Sequence, residues 1–508
     1  MSGAKKLLHN TLLLTAASFV MRTVAVSFNV YLTEKIGADG IGLFQLIGSV
    51  YAMAITFASG GIRLASMRLV ADNASQGNFS ERQIMRLCLF YSLACGTFIA
   101  IIMYSFSALI GTQWICDSRS IPSLKVLSLS LPFIASSAAL GGYFTAIGKL
   151  IRYTSVQLAE QIFKIAVTVL SLKSAASHGL EASCVAIVFG MTSAEIFSML
   201  CSFMLYRFTS KRNCKKAGIS LVVKKLLRIA VPDATGSQMR SVLMTIEHLL
   251  IPVGFRKSGV NAQSSMATYG IIHGMSLPLI LYPSALLSSL SGLLVPEISS
   301  RYISGKHSHI SYMTARVLHF ALLFSIGTAG IIYFNAYEIS TAVYSENGVA
   351  FYTQILSVLI PVMYLDMTID GILKGLDQQM SYMRYNIIDA CICVVFVYIL
   401  VPIFSVKGYI FVVFLSEIIN FALSFRRLTI VSEVRIDFFR SIITPVLCVI
   451  CTGILKSILF ANTSAVTSPE ILAVTTTCFC VSVYLFLLKI FRSIENEEIV
   501  WAKTISSK

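Results

Sequence analysis

Residues Thr11–Leu32 read TLLLTAASFVMRTVAVSFNVYL, and the only charge among them is Arg22. The run is long enough to cross about 30 Å of hydrocarbon, which takes roughly 20 residues of helix. Similar runs recur along all 508 residues, of which 56% are hydrophobic and 13% charged. A soluble domain carries about 25% charged residues, so the chain reads as an all-α integral membrane protein. The first run is too long for the apolar region of a signal peptide. No small-residue cleavage site follows it, and it is expected to be a retained span.

Fourteen such spans are expected, at 10–33, 41–62, 84–111, 122–147, 153–174, 182–206, 227–254, 266–296, 313–336, 350–375, 383–403, 408–427, 440–460 and 470–491. With both termini in the cytoplasm, about 29 of the 40 basic residues fall on the inner side and about eight on the outer. That bias is the positive-inside signature. It accounts for the net charge of +16 without any nucleic-acid partner. The longest internal connection, Tyr206–Pro232, is strongly basic. Its end, LVVKKLLRIAV, sets Lys224, Lys225 and Arg228 beside an apolar face, the pattern of an amphipathic elbow on the inner membrane surface. Most of the twelve cysteines lie in apolar runs, including Cys448 and Cys451, and read as small buried side chains.

The two halves resemble each other. AASFVMRTV (Ala16–Val24) matches ATGSQMRSV (Ala234–Val242), which pairs Arg22 with Arg240. GYFTAIGKLIRYTSVQLAEQ (Gly142–Gln161) matches GILKGLDQQMSYMRYNIIDA (Gly371–Ala390), which pairs Gly142 with Gly371, Tyr153 with Tyr382 and Glu160 with Asp389. Spans 1–6 then correspond to spans 7–12 in the same orientation, a parallel repeat of the kind found in transporters. The expected divisions are 1–217 for the first lobe, 218–434 for the second with its elbow, and 435–508 for two further helices and a tail.

A charge at the bilayer centre costs about 2.5–3.5 kcal/mol on insertion scales, so such residues face a bundle interior or water. Arg22 and Arg240 are candidates for a fixed anion site, since planar guanidinium forks match phosphate or carboxylate oxygens. Glu247 lies seven residues after Arg240 on the same helical face. It is read as a partner of that arginine or a ligand for a coupling cation. Glu160 and Lys164, one turn apart, are read as a structural ion pair. Asp389 has no lysine at the matching place. Asp366 and Asp370 are like charges one turn apart and form a candidate Na⁺ or proton site. Span 8 carries Gly274, Pro278 and Pro283, which weaken its backbone ladder and suit a gate. No nucleophile–base pair, phosphate loop or metal-ligand cluster stands out, so neither an enzyme nor a metalloprotein is expected.

Three stretches carry a family resemblance: MRTVAVSFNVYLTEKIGADGIGLFQL with GGIRLASMRLVAD, YGIIHGMSLPLILYPSALLSSLSGLLVPEIS, and YLDMTIDGILKGLDQQ. The chain resembles the stage V sporulation protein B group of polysaccharide flippases. That group belongs to the multidrug/oligosaccharidyl-lipid/polysaccharide exporter superfamily. The resemblance implies two six-helix lobes plus two C-terminal helices that form a groove for a lipid tail. It also implies alternating access, and a cargo carried on undecaprenyl pyrophosphate from the inner to the outer leaflet. By that resemblance Arg22 binds the pyrophosphate, with Phe28 and Asn29 standing where lipid II flippases carry a second arginine. The expected partners are the lipid-linked oligosaccharide and membrane lipids, with a monomer working beside cell-wall synthesis proteins in the bacterial cytoplasmic membrane. No cofactor is expected beyond Na⁺ or H⁺ coupling. The alternatives are a cation-coupled exporter of small molecules or drugs, and a non-transporting scaffold.

Overall fold

The structure is a computed structural model and describes residues 3–76, 81–209, 219–304, 307–344, 348–434, 437–460, 468–491 and 493. Among these residues all regular structure is helical. Among the described residues nine helices are long and apolar enough to cross a membrane, and two bent helix pairs raise the number to eleven. The chain is a multi-pass membrane protein.

Two of the helices far exceed one crossing. Gly3–Ser59 holds 57 residues and Gln379–Ser432 holds 54. Unbroken, each would run for about 80 Å at 1.5 Å per residue. Each is interrupted once, at Gly37 (φ 67°) and at Ser405 (φ 53°). Both breaks fall where the sequence puts the connections after spans 1 and 11. Glycine reaches positive φ at no steric cost, whereas serine is held there by its surroundings.

The elbow expected on the membrane surface has a different form. From Ile219 it runs without interruption into span 7 as one helix, Ile219–Lys257. Val222, Leu226 and Ala230 recur four apart and are buried in a core with Ile62, Leu69, Ile84, Leu140 and Phe144. Protein rather than lipid covers that apolar stripe. The fit is tight at Gly61 (φ +70°), where a Cβ would lie 2.3 Å from the Ala230 carbonyl oxygen.

Contacts divide the chain into two compact units. One comprises Met1–Ala38 with Gly254–Lys508, the other Asp39–Val253. Span 1 therefore packs with the C-terminal helices and span 7 with the N-terminal ones. The divisions at 217/218 and 434/435 follow the register of the sequence repeat, while these units follow the proximity of the backbone.

Each unit contains one sharply bent pair, and the two share a plan. Ser118–Ser128 meets Leu131–Ala146 at 47°, and Val349–Ser357 meets Ile360–Gly375 at 59°. Both second helices start with proline in the first turn, and both close with the same cap. After the first, Ile147, Gly148 and Lys149 donate backbone N–H groups to Tyr143, Thr145 and Phe144. After the second, Leu376, Asp377 and Gln378 donate to Ile372, Lys374 and Leu373, at one constant spacing of 229 residues. This is the Schellman cap, whose left-handed residue is usually glycine. Gly148 fills it in the first copy (φ +68°) and Asp377 in the second (φ 57°). Asp377→Gly is therefore expected to raise stability by about 1 kcal/mol, read as a higher midpoint of thermal unfolding in detergent. An unchanged or lower midpoint would show that the Asp377 side chain makes up for its backbone strain.

The last two helices, Thr444–Leu459 and Pro469–Ile490, seat closely on His307–Phe334. A Cβ on Gly327 would lie 2.3 Å from the Tyr484 ring, one on Gly330 2.1 Å from Val449, and one on Gly453 2.2 Å from Phe334. Small residues at such seams let helices approach closely enough for dispersion forces to hold them in lipid. Tyr484 donates its hydroxyl to the Leu323 carbonyl at 2.8 Å. At the other end Lys456 Nζ bonds Glu338 Oε1 at 2.6 Å and also the Phe334 carbonyl. Both side chains are largely buried, at 9% and 18% exposure. Cys448 is buried and Cys451 exposed, and both are free thiols.

Candidate functional site

The prolines of span 8 disturb its hydrogen-bond ladder in a definite order. Pro278 has no N–H to give the Gly274 carbonyl four residues back. Around that gap the backbone widens into a π-helical turn, Gly270–Ser276. Pro283 then tightens the chain into a 3₁₀ turn, Tyr282–Ser284, where the Ala285 N–H bonds Tyr282 and Pro283 rather than Leu281. The carbonyls of Gly274 and Leu281 are thus left for other donors.

The first helix supplies them. Arg22 Nη2 donates to the Leu281 oxygen at 2.5 Å, beside the Ser284 hydroxyl, which donates to the same oxygen at 2.7 Å. Asn29, seven residues on and so on the same face, donates its amide to the Gly274 oxygen at 2.5 Å. Thr23 and Tyr282 join hydroxyls at 2.9 Å, and the Phe19 and Tyr282 rings stand 5.8 Å apart. Tyr364 donates to the Ile280 carbonyl at 2.6 Å, which brings a further hydroxyl within electrostatic reach of the guanidinium. Arg22, Gly274, Pro278 and Pro283 therefore form one site, with Arg22 half-buried. Asn29, Tyr282 and Tyr364 complete it; Asn29 was noted in the sequence only as standing in place of a second arginine, and the two tyrosines were not singled out. The signal available for Asn29 was its spacing from Arg22.

Arg240 lies half-buried on Ile219–Lys257, in the other unit, and has no carboxylate or hydrogen-bond partner among the described residues. Glu247 is half-buried two turns further along the same helix.

The candidate acidic residues of the first unit each have a bonded neighbour. Asp370 is joined to Lys374 at 2.7 Å on its own helix. Asp366 instead accepts from the Asn420 amide at 3.0 Å, and Asp389 from the Ser416 hydroxyl at 2.5 Å. Lys374 lies one turn after Asp370, the spacing at which opposite charges pair on a helix. The break at Ser405 lets the second half of Gln379–Ser432 present Ser416 and Asn420, one turn apart on one face. Ser416, Asn420 and Ser424 recur every fourth residue in an apolar helix, a legible stripe that the reading of charges passed over.

In the second unit Glu160 and Lys164 are both half-buried, and a third group joins them. Glu195, in the middle of Leu180–Thr209, lies within electrostatic reach of both. The three groups act on one another electrostatically, and no Glu160–Lys164 ion pair is closed among the described residues. Among the described residues no group of three or more His, Cys, Asp or Glu side chains is placed to hold a metal ion.

With this geometry in hand, comparison with known proteins is informative. The chain is 21% identical over 505 residues to "Stage V sporulation protein B" of Bacillus subtilis (strain 168), covering 97% of this chain and 96% of that protein. Among solved structures, "Lipid II flippase MurJ, inward closed conformation" superposes with a TM-score of 0.72 at 15% identity, over 94% of this chain and 98% of that one. An inward-facing multidrug resistance MATE family transporter superposes at 0.63 with 13% identity, over 82% and 96%. The functions named among these proteins are flipping and export rather than catalysis, so the chain is not read as an enzyme. The resemblance seen in the sequence is borne out. The profile of one family, described as "Polysaccharide biosynthesis protein", matches residues 7–271, more than half of the chain, and this protein belongs to that family.

Proposed function

We propose that the protein flips a cell-wall or spore-cortex precursor, carried on undecaprenyl pyrophosphate, from the inner to the outer leaflet by alternating access. In this reading the chain makes fourteen passes through the bacterial cytoplasmic membrane with both ends in the cytoplasm. The breaks at Gly37 and Ser405 divide the two overlong helices, and Ile219–Lys257 supplies a further pass. The observation that carries the reading is Arg22. A fixed cation within an apolar span is held by the carbonyl of a proline-broken turn, a neutral acceptor. A phosphate oxygen is a stronger one, because charge-assisted bonds are roughly twice as strong as neutral ones. Pyrophosphate would draw Arg22 from Leu281 and loosen span 1 from span 8, which makes this pair the gate. The likeness to a lipid II flippase and the sporulation relative support this cargo class.

Proteoliposomes test the proposal. The protein should move a pyrophosphate-anchored lipid across the bilayer and leave a cationic dye in place. Efflux of the dye without lipid movement would favour the small-molecule exporter instead.

Asp366 and Asp389, acidic side chains within apolar spans, are the groups proposed to bind a coupling Na⁺ or H⁺, with Glu247 and Asp370 adjusting the charge around the path. Asp366→Asn is expected to remove most of the acceleration that an imposed ion gradient gives, while slow exchange without a gradient persists. A gradient response equal to that of the native protein would exclude Asp366 from coupling.

A further inference from the structure

A second cationic pocket lies far in sequence from Arg22 and belongs wholly to the Asp39–Val253 unit. It sits between the start of Glu81–Ser105 and the end of Leu180–Thr209 and is lined by Arg82, Arg86, Leu89, Phe203, Tyr206 and Arg207. Its volume is about 120 Å³, several times what one water needs.

Its charge is not balanced from within. Among the described residues no ion pair joins any of the three guanidinium groups to a carboxylate. Glu81, the acid nearest in sequence, is engaged elsewhere: the Tyr143 hydroxyl donates to its Oε1 at 2.5 Å. Tyr143 also packs edge-on against Tyr206, with ring centroids 5.0 Å apart. One tyrosine thus draws the acid away and braces the wall of the pocket. The sequence that follows, Ser210–Gly218, adds Lys211, Arg212, Lys215 and Lys216 and no acidic residue.

Apolar rows run along the two helices that carry the arginines. On the first helix Phe90 and Leu93 follow Arg86 at four and seven residues. On the second, Phe203 and Leu200 precede Arg207 by the same spacings, so each row shares a helical face with its arginine. All four side chains are exposed, Phe90 at 72%. Arginines at a membrane boundary that lead into two apolar rows match a phosphate head with acyl chains below it, and basic pockets between membrane helices bind such heads. A free phosphate would use the arginines but not the rows.

We infer that this pocket is a binding site for an anionic phospholipid, its phosphate held by Arg82, Arg86 and Arg207 and its chains lying along the Phe90–Leu93 and Leu200–Phe203 rows. With the topology proposed above, the lipid belongs to the inner leaflet. The site is separate from the Arg22 site and does not depend on the identity of the cargo.

The test uses the full chain, delipidated in detergent, with phosphatidylglycerol, phosphatidylcholine or inorganic phosphate added, and bound lipid counted by native mass spectrometry. The native protein should retain phosphatidylglycerol in preference to phosphatidylcholine, and inorganic phosphate should not displace it. The triple variant Arg82→Gln/Arg86→Gln/Arg207→Gln should lose roughly fivefold in retention for each charge removed. The corresponding three lysine substitutions should keep most of it. If the triple glutamine variant does not fold, Arg207→Gln alone, on the exposed last turn, must still lower retention. Undiminished preference in a folded glutamine variant overturns the site. Displacement by inorganic phosphate overturns the lipid as its occupant.

Discussion

Arg22→Ala is expected to slow flipping of a pyrophosphate-anchored lipid by about 10- to 100-fold in proteoliposomes, the loss that follows from removing a charged hydrogen bond of about 1.5–3 kcal/mol. The fold should tolerate the change, because the Leu281 carbonyl keeps the Ser284 hydroxyl as a donor. Insertion and thermal midpoint should therefore stay near native, and the effect should appear in transport. Arg22→Lys keeps the charge but not the planar fork, so its loss should be intermediate. Asn29→Leu is an informative companion. It frees the Gly274 carbonyl without touching the cation, and should change how readily the two helices part more than how strongly anions bind. If a correctly inserted Arg22→Ala protein flips lipid at the native rate, the anion-site role is wrong.

The largest effect on stability is expected at the C-terminal helices. Lys456→Met should destabilise the protein by about 3–5 kcal/mol, the usual penalty for removing one partner of a buried ion pair. Glu338 would be left enclosed beside the Phe334 carbonyl with its cation gone. The double variant Lys456→Met/Glu338→Gln should recover much of the loss, because the uncompensated charge goes with its partner. Thermal unfolding of the four proteins of this cycle measures the coupling. A single variant within about 1 kcal/mol of native, below the ordinary range for a buried pair, would show that water reaches the site.

The sequence was most informative where the physics is local. Apolar runs mark the spans, and the breaks at Gly37 and Ser405 fall between them, Ser405 in a stretch that also holds Pro402 and Gly408. Arg22 could be singled out because a charge in an apolar run is costly. Its partner could not, since a backbone carbonyl has no letter of its own and is exposed only through the missing bonds that Pro278 and Pro283 create downstream. Asp366 and Asp370 were read as one pair because their spacing is visible. Lys374 is visible too, one turn on, and it is bonded to Asp370. Asn420 and Ser416 reach their aspartates across a fold in the chain, which no spacing reports. Glu195 joins Glu160 and Lys164 in the same way, from a neighbouring helix.

The twin caps speak to descent. Three backbone bonds recur at one constant spacing, and the bent helices before them both begin with proline. A turn closed by glycine in one copy and aspartate in the other keeps its shape through a change of residue that its geometry disfavours. Shared ancestry explains that better than independent invention, since an unrelated turn could have adopted any of several closures. The forebear would be a chain about half as long, working as two identical subunits before the genes fused. With the six crossings per copy proposed above, an even number, the fusion would have been simple, because the second copy would enter the bilayer the same way up as the first.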